Sequence, residues 1–218
     1  MTEKYHCLIQ NIQESCRKAE RDFNTIDIMA VSKTYDISHI RPVLDTGHRI
    51  FGENKVQECR NKWIQLKSEY DNIHLHLIGG LQSNKVKYLP HLVDVIHTVD
   101  SEKLVLEIKK HMDKNPDWIP HIYIQVNTGE ETQKNGVAVA QVSALVSFAK
   151  AHGLHVVGLM CIPPLNDYPT PHFALLRKLA HENGLSQLSM GMSADYDDAL
   201  NLGATIIRIG TAIFGKRG

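Results

Sequence analysis

Short apolar runs alternate with longer amphipathic stretches along the whole chain. The apolar runs are rich in β-branched residues and are bounded by turn residues, which is typical of buried β-strands. The pattern predicts eight strands: Ile26–Ser32, Arg49–Gly52, Ile73–Ile78, Val93–His97, Ile119–Val126, His155–Met160, Gln187–Ser189 and Thr205–Ile209.

The stretches between these strands have the periodicity of amphipathic helices. Ser101 followed by Glu102 suits a helix N-terminus, and Gly47, Gly153 and Gly203 stand where helices should end. The predicted helices are Ser38–Thr46, Lys55–Glu69, Ser83–Leu89, Ser101–Lys114, Ala138–Ala151, Thr170–Glu182 and Asp195–Leu202, preceded by an N-terminal helix of roughly Glu3–Arg21.

The alternation of strands and helices predicts an α/β fold with a parallel sheet. An open doubly wound sheet and a closed barrel both fit the alternation. The count of eight strands favours a single (β/α)8 TIM-type barrel with an extra N-terminal helix, although 218 residues is short for that fold. Because no Pro/Gly/Ser-rich linker divides the sequence, we expect one domain over residues 1–218.

Composition narrows the range of partners. Lysine plus arginine and aspartate plus glutamate each number 24, so the formal net charge is zero and nothing favours a nucleic-acid or anionic membrane partner. The start of the sequence does not resemble a secretory signal, and no later apolar run reaches membrane-spanning length. Four scattered cysteines without a C-x-x-C pair indicate free buried thiols in a reducing compartment. We therefore expect a cytoplasmic protein.

The unusual residues of the chain collect where predicted strands end, whereas plain turns follow the helices. In a barrel the loops after the strands form one face, and active sites occupy that face. After the strands, in chain order, come Lys33, Glu53–Asn54, Gly79–Asn84, Asn127–Gly129, Cys161–Pro164, Ser189–Ser193 and Gly210–Thr211. This asymmetry predicts a site at the carboxyl ends of the strands.

Lys33 follows the first strand and has two interpretations. An amine at the mouth of a barrel has its pKa lowered by burial, and a neutral amine is what Schiff-base formation requires. Alternatively, the lysine ends a strand and extends into solvent. The last two loops decide between them, because an anion site there would face Lys33.

Those two loops have the composition of such an anion site. Ser189–Ser193 supplies two hydroxyls around a glycine, and Arg208–Thr211 supplies a guanidinium, a glycine and a hydroxyl. Two glycine turns with capping serines would explain the same residues. Barrels commonly bind phosphate with the loops after strands seven and eight, so we favour a phosphate site.

Histidines offer a weaker signal. His74 and His76 would point to the same side of one strand and could bind a metal ion. No third ligand stands at a helpful spacing, so we predict ordinary strand residues and no metal site.

The sequence resembles a known family in six motifs that span most of the chain. They are AVSKT (Ala30–Thr34), FGEN-x-VQE (Phe51–Glu58), HLIGGLQSNK (His76–Lys85), GLMCIPP (Gly158–Pro164), LSMGMS-x-D (Leu188–Asp195) and RIGTAIFG (Arg208–Gly215). In this order and spacing they are similar to the pyridoxal phosphate homeostasis proteins, which are relatives of the barrel domain of alanine racemase.

The resemblance implies that Lys33 holds pyridoxal 5′-phosphate (PLP) as an internal aldimine and that Arg208 faces the pyridine nitrogen. It places Asn54 near the ring. It also implies four phosphate contacts, namely Ser189, Ser193, Gly210 and Thr211.

Two positions of the third loop depart from the family pattern, in which phenylalanine and proline are common at the places of Leu77 and Gly80. The departures put the rigidity of that loop and the packing against the ring in question.

The family is regarded as having no established catalytic activity, and it is thought to buffer PLP and hand it on, with apo PLP-dependent enzymes as recipients. The resemblance also implies a monomer. Racemases take one acid/base group from a second β domain, which these 218 residues do not contain, so we expect no efficient turnover. Two alternatives stay open: an amino-acid racemase that is weak or needs a partner, and a class I aldolase that uses Lys33 without a cofactor.

Overall fold

Parallel strands close into a barrel in the computed structural model of the chain, which describes residues 2–215. The strands are β1 (Asp27–Val31), β2 (Ile50–Glu53), β3 (His74–Leu77), β4 (Val95–Val99), β5 (His121–Asn127), β6 (Val137–Ala138), β7 (His155–Met160), β8 (Gln187–Met192) and β9 (Ile206–Ile209). Strand β5 bonds to both β4 and β7, and β1 bonds to β9, which completes a ring of eight strands. The short β6 pairs with β5 outside the ring.

This ring confirms the predicted (β/α)8 barrel. Each predicted strand coincides with a ring strand, with two differences that matter below. Strand β4 lies two residues later than predicted, at Val95–Val99. Strand β8 continues to Met192 instead of ending at Ser189, which places Ser189 inside a strand rather than in a loop.

Helices surround the ring on its outer side. They are α1 (Thr2–Lys18), α2 (Ile37–Leu44), α3 (Val56–Glu58), α4 (Ile64–Glu69), α5 (Glu102–Lys114), α6 (Val142–Ala151), α7 (Pro169–Glu182), α8 (Tyr196–Asn201) and α9 (Thr211–Phe214). Helix α1 is the predicted extra N-terminal helix, and its Leu8, Ile12 and Cys16 are buried against the rest of the protein. Within residues 2–215, no helix is both long enough and apolar enough to cross a membrane.

Two helix predictions need correction, and one short helix was not predicted. The predicted helix Lys55–Glu69 is interrupted by a π-turn at Cys59–Trp63, which turns Lys62 and Trp63 inward. Ser83–Tyr88 is a 3₁₀-helix, a form suited to a short segment that stops just before Pro90. The four-residue helix α9 was not predicted because it is too short to show periodicity.

Side chains alternate between two apolar layers along each strand. In β1, Ile28 and Ala30 belong to the large core between ring and helices, whereas Met29 and Val31 point into the barrel. The inner apolar cluster is small: Met29, Val31, Val95, Tyr123, Met160 and Ile206. Buried polar side chains fill the remaining interior, and these connect to the candidate site.

The cysteines agree with the prediction in part. All four are free thiols, and Cys16, Cys59 and Cys161 are buried as predicted. Cys7 is exposed, because it lies on the solvent side of α1. Burial raises the pKa of the Cys59 and Cys161 thiols to about 12, so these two groups are unreactive as nucleophiles.

Candidate functional site

A cavity of about 270 Å³ opens at the carboxyl ends of the barrel strands. Its lining comprises Val31, Lys33, Asn54, Ile78, Ile162, Met192, Ser193, Ala194, Arg208, Gly210 and Thr211. Six of the seven predicted site residues are in this lining, and Ser189 is the exception. A larger and more open hollow of about 610 Å³ lies beside the turn that carries Lys33, but it contains none of the predicted site residues.

The turn that carries Lys33 is held on both sides. Strand β1 ends at Val31, and Thr34 adopts a positive φ of 69°, which reverses the chain immediately after Lys33. The Thr34 N–H donates to Oε2 of Glu58 at 2.8 Å, and the Tyr35 hydroxyl donates to the Gly215 carbonyl at 2.7 Å. Lys33 is half-buried and lines the cavity from this braced turn.

The buried ammonium group of Lys62 binds the backbone of the same turn. Nζ of Lys62 donates to the carbonyl oxygens of Ser32 and Tyr35 at 3.0 and 3.1 Å. It also forms ion pairs with Glu53 at 2.7 Å and Glu58 at 3.0 Å. Lys62 thus clamps the backbone on both sides of Lys33 and joins β1 to the helices after β2.

Glu53 is the buried counter-ion of this clamp. Its Oε1 accepts hydrogen bonds from the Ser32 hydroxyl at 2.7 Å and from Nε1 of Trp63 at 3.0 Å. Burial raises the pKa of Glu53, and the nearby Lys62 charge and the hydrogen bonds act in the opposite direction. Glu53 was among the polar residues expected after the strands, but its ion pair with Lys62 was not predicted. The available signal was the Glu58–Lys62 spacing of four residues in a helical segment that starts directly behind the polar end of β2.

A β-bulge aims Ser193 at the cavity. The register between β8 and β9 shifts between Ser189 and Met192, where Gly191 has a φ of +90°. A Cβ at Gly191 would lie 2.6 Å from Cβ of Ala199, so both the backbone conformation and the space require glycine. The bulge directs the exposed Ser193 to the cavity rim, where Gly210 and Thr211 also lie.

Arg208 forms the inner wall of the cavity from β9. Its side chain is 5% exposed, and Nη1 donates to the carbonyl and the hydroxyl of Ser189 at 2.8 and 2.9 Å. Nη2 donates to the Cys161 carbonyl at 2.9 Å. Burial lowers the pKa of Arg208, but a guanidinium stays protonated at physiological pH. Three of its N–H groups therefore fix the orientation of the cation.

Ser189 supports Arg208 instead of lining the cavity. It is fully buried, and its hydroxyl contacts Nη1 of Arg208 and Nδ1 of His97, the latter at 3.0 Å. Because β8 extends past Ser189, the side chain faces the barrel interior and not the loop that ends the strand. Ser189 thus contacts Arg208 in this structure, and its predicted contact with a phosphate stays a prediction.

Asn54 lines the cavity and has an unpaired acceptor. Its Oδ1 is buried without a hydrogen-bond partner among residues 2–215, which is uncommon for a buried side-chain oxygen. A Cβ at Gly79 would lie 2.1 Å from the Asn54 carbonyl oxygen, so glycine is needed where the third loop passes this residue. A ligand donor in the cavity would satisfy the Asn54 amide.

The two departures from the family pattern lie outside the cavity lining, and Leu77 is the last residue of β3 rather than part of the third loop. Leu77 is fully buried in the core between ring and helices. A Cβ at Gly80 would approach Nδ2 of Asn135, on the loop after β5, to 2.9 Å. Neither residue lines the cavity, so the expected effect of these departures on ring packing is not supported.

His74 and His76 do share one side of β3, and both line a separate cavity of about 380 Å³ at the amino ends of the strands. Nδ1 of His76 contacts Nε2 of His97 at 2.9 Å. In the part of the chain that the structure describes, no group of three or more histidine, cysteine or acidic side chains could hold a metal ion.

Buried His76 predicts that acid destabilises the fold. Unfolded histidine binds a proton near pH 6.5, whereas burial lowers the pKa of His76 to about 3. Between these values the unfolded state binds more protons, so the free energy of unfolding falls as pH falls. At about 1.4 kcal/mol per pKa unit, His76 alone should lower the free energy of unfolding by about 2 kcal/mol between pH 7 and pH 5. Urea unfolding at both pH values measures this. His76→Asn should flatten the profile, and a wild-type stability that is equal at the two pH values would contradict the assignment.

The fold and the site together define the class of protein, which is a parallel barrel of the alanine racemase type. At the carboxyl ends of its strands lie a lysine, a fixed arginine and loops that supply glycines and hydroxyl groups. Alanine racemase from Clostridium difficile has this fold, with a TM-score of 0.72 over 96% of this chain and 56% of that chain, at 13% identity.

Nearer relatives identify the family. A pyridoxal phosphate homeostasis protein of Aquifex aeolicus is 38% identical over 99% of this chain and 97% of its own length. PipY of Synechococcus elongatus, solved with PLP bound, is 31% identical with a TM-score of 0.79 over 94% of this chain and all of that chain. No protein-family model matches the chain. The chain belongs to the pyridoxal phosphate homeostasis protein family, which confirms the resemblance seen in the sequence.

Proposed function

We propose that this chain is a cytoplasmic, monomeric protein that binds PLP through a Schiff base with Lys33 and acts in PLP homeostasis, holding the cofactor and handing it to apo enzymes. The Aquifex aeolicus relative is named a pyridoxal phosphate homeostasis protein, and PipY has been solved with PLP. The observation that carries the proposal is the single cavity that brings together Lys33, Arg208 and the rim residues Ser193, Gly210 and Thr211.

The residues of the cavity fit the parts of PLP. Lys33 supplies the amine for the aldehyde. The Ser193 and Thr211 hydroxyls, beside Gly210, supply a rim for the phosphate. Oδ1 of Asn54 has no hydrogen-bond partner among residues 2–215, so a donor on the ring side of PLP would complete its hydrogen bonding.

Arg208 would influence the electronic state of PLP bound in the cavity. When bound, PLP supplies an electron sink, and that sink is strongest with a protonated pyridine nitrogen. A guanidinium that is fixed in place and cannot give up its proton keeps a facing pyridine nitrogen unprotonated.

The experiment that tests the function is the absorbance spectrum of the purified protein with PLP, before and after borohydride. We expect a visible band that borohydride abolishes and, after peptide mapping, a pyridoxyl group on Lys33. An aldolase that uses Lys33 without a cofactor would instead give a colourless protein. A protein that stays colourless in excess PLP would refute the proposal.

Arg208→Gln tests the inner wall of the cavity. Glutamine removes the cation and some of the bonds that the guanidinium makes to Ser189 and Cys161. Because a hydrogen bond to a charged group contributes about 1.5–3 kcal/mol, we expect PLP to bind at least about tenfold more weakly, with a displaced visible band. Fluorimetric titration and the visible spectrum measure both changes. Arg177→Gln, at an exposed arginine, is the control; unchanged affinity and spectrum in the Arg208 variant would contradict the assigned contact.

A further inference from the structure

A continuous line of buried polar side chains runs down the inside of the barrel from the candidate site. Nη1 of Arg208 lies 2.9 Å from Oγ of Ser189, which lies 3.0 Å from Nδ1 of His97. Nε2 of His97 lies 2.9 Å from Nδ1 of His76, which lines the cavity at the opposite end of the barrel. Every member of this chain is buried, and three strands besides β9 contribute to it.

The chemistry of the groups gives the chain a direction. A guanidinium only donates, so Oγ of Ser189 accepts from Arg208. Besides Arg208, Nδ1 of His97 is the only hydrogen-bond partner of the Ser189 hydroxyl among residues 2–215, so the hydroxyl proton points to His97. Nδ1 of His97 is therefore an acceptor, and the ring carries its proton on Nε2. By the same reasoning His76 accepts on Nδ1 and carries its proton on Nε2.

The direction requires both imidazoles to be neutral, and their surroundings favour that form. Burial lowers the pKa of His97 well below its usual value, and the positive charge of Arg208 lowers it further. Burial likewise lowers the pKa of His76 to about 3. Each neutral ring then has one donor nitrogen and one acceptor nitrogen, as the direction of the hydrogen bonds requires.

Packing fixes the ring of His97 as well. The ring stacks on Tyr123 with centroids 4.3 Å apart and planes at 7°. His97 is thus held by Tyr123 on one face and by hydrogen bonds at both nitrogens. A ring fixed in this way can hold the Ser189 hydroxyl in one rotamer.

We propose that His97 is a positioning residue, which acts through Ser189 to hold the Arg208 guanidinium against the cavity, and that His76 orients the ring of His97. The consequence for PLP rests on the proposed function, in which Arg208 faces the pyridine nitrogen. A residue outside the cavity lining then controls how the ring of PLP is bound.

The chain of hydrogen bonds from Arg208 to His76 is tested without PLP. In ¹⁵N–¹H spectra of the imidazole groups of the PLP-free protein, we expect His97 and His76 to be neutral and protonated on Nε2 from pH 5 to pH 8. A proton on Nδ1 of His97 would reverse the chain and overturn the proposal, whether or not the protein binds PLP.

The effect on the site is tested with three variants and PLP. His97→Leu removes both hydrogen bonds and should weaken PLP binding about tenfold with a displaced visible band, since a lost bond in a charged network costs at least about 1.4 kcal/mol. His97→Asn keeps a polar group at the position of Nδ1 and should restore most of the affinity. His121 lines the cavity at the amino ends of the strands but takes no part in the chain of hydrogen bonds. His121→Gln should therefore leave the PLP affinity and the visible spectrum unchanged.

Ser189→Ala distinguishes this role from a direct phosphate contact and replaces His97→Leu if that variant does not fold. A positioning chain predicts that Ser189→Ala and His97→Leu change affinity and band position in the same way. A phosphate contact from Ser189 predicts weaker binding for Ser189→Ala alone, and this result would overturn the proposal, as would an unchanged spectrum in Ser189→Ala. If the wild-type protein fails to bind PLP, the proposed function fails, and the imidazole spectra still decide the direction of the chain.

Discussion

Replacing Lys33 by alanine is expected to abolish the visible band that borohydride removes from the PLP-loaded protein. Only a primary amine forms the Schiff base, and Lys33 is the lysine that lines the cavity. PLP should still bind through the phosphate rim and Arg208, but without a reducible band. Absorbance spectra before and after borohydride, at matched PLP concentration, measure the change.

Lys55→Ala is the matched control for this substitution. Lys55 is exposed and follows β2, at the same end of the barrel, but it does not line the cavity. Its replacement should leave the band and its reduction unchanged. A reducible band of normal intensity in Lys33→Ala would show that another lysine carries the cofactor.

Replacing Lys62 by methionine should destabilise the protein by about 3–5 kcal/mol, the usual consequence of removing one partner of a buried ion pair. The substitution leaves the buried Glu53 without its cation and removes the hydrogen bonds from Lys62 to the carbonyl groups of Ser32 and Tyr35. Because those carbonyls flank Lys33, PLP binding should weaken as well. Urea unfolding and PLP titration measure the two effects.

Two further variants make this prediction specific. Lys67→Met removes a lysine from the next helix whose ion pair with Asp94 is partly open to solvent, and it should cost less than about 1 kcal/mol. Glu53→Gln combined with Lys62→Met removes both charges, so it should recover part of the lost stability. Equal losses in the Lys62 and Lys67 variants would contradict the role of the clamp.

The barrel was predictable because its signal is long-range and repeated. Eight apolar runs of β-branched residues separated by amphipathic stretches leave few alternatives, and each strand prediction coincides with a ring strand. The place of the site followed from the same pattern, because polar residues that end parallel strands meet at one face. Lys33, Arg208 and Gly210 therefore came together as predicted, although they are far apart in sequence.

The errors arose where one residue decides the local geometry. The Gly191 bulge extends β8 past Ser189, and a strand assignment from periodicity cannot detect a single positive φ. The π-turn at Cys59–Trp63 has an ordinary helical sequence, and only the buried partner Glu53 explains why Lys62 faces inward. The chain of hydrogen bonds through the two histidines could not be predicted from the sequence either. His76, His97 and Ser189 come from three strands, and the directions of their side chains depend on the closed ring.

The pairing of β1 with β9 determines when the site can form during synthesis. Lys33 leaves the ribosome early, whereas Arg208, Gly210 and Thr211 emerge about 180 residues later, and Tyr35 reaches the Gly215 carbonyl with its ring 4.9 Å from that of Phe214. Contacts this distant in sequence form late in folding. A nascent chain that lacks β9 therefore has the reactive amine but neither the arginine nor the glycine–threonine rim. Capture of the cofactor would then report that the ring has closed, and a variant truncated before β9 should not show it.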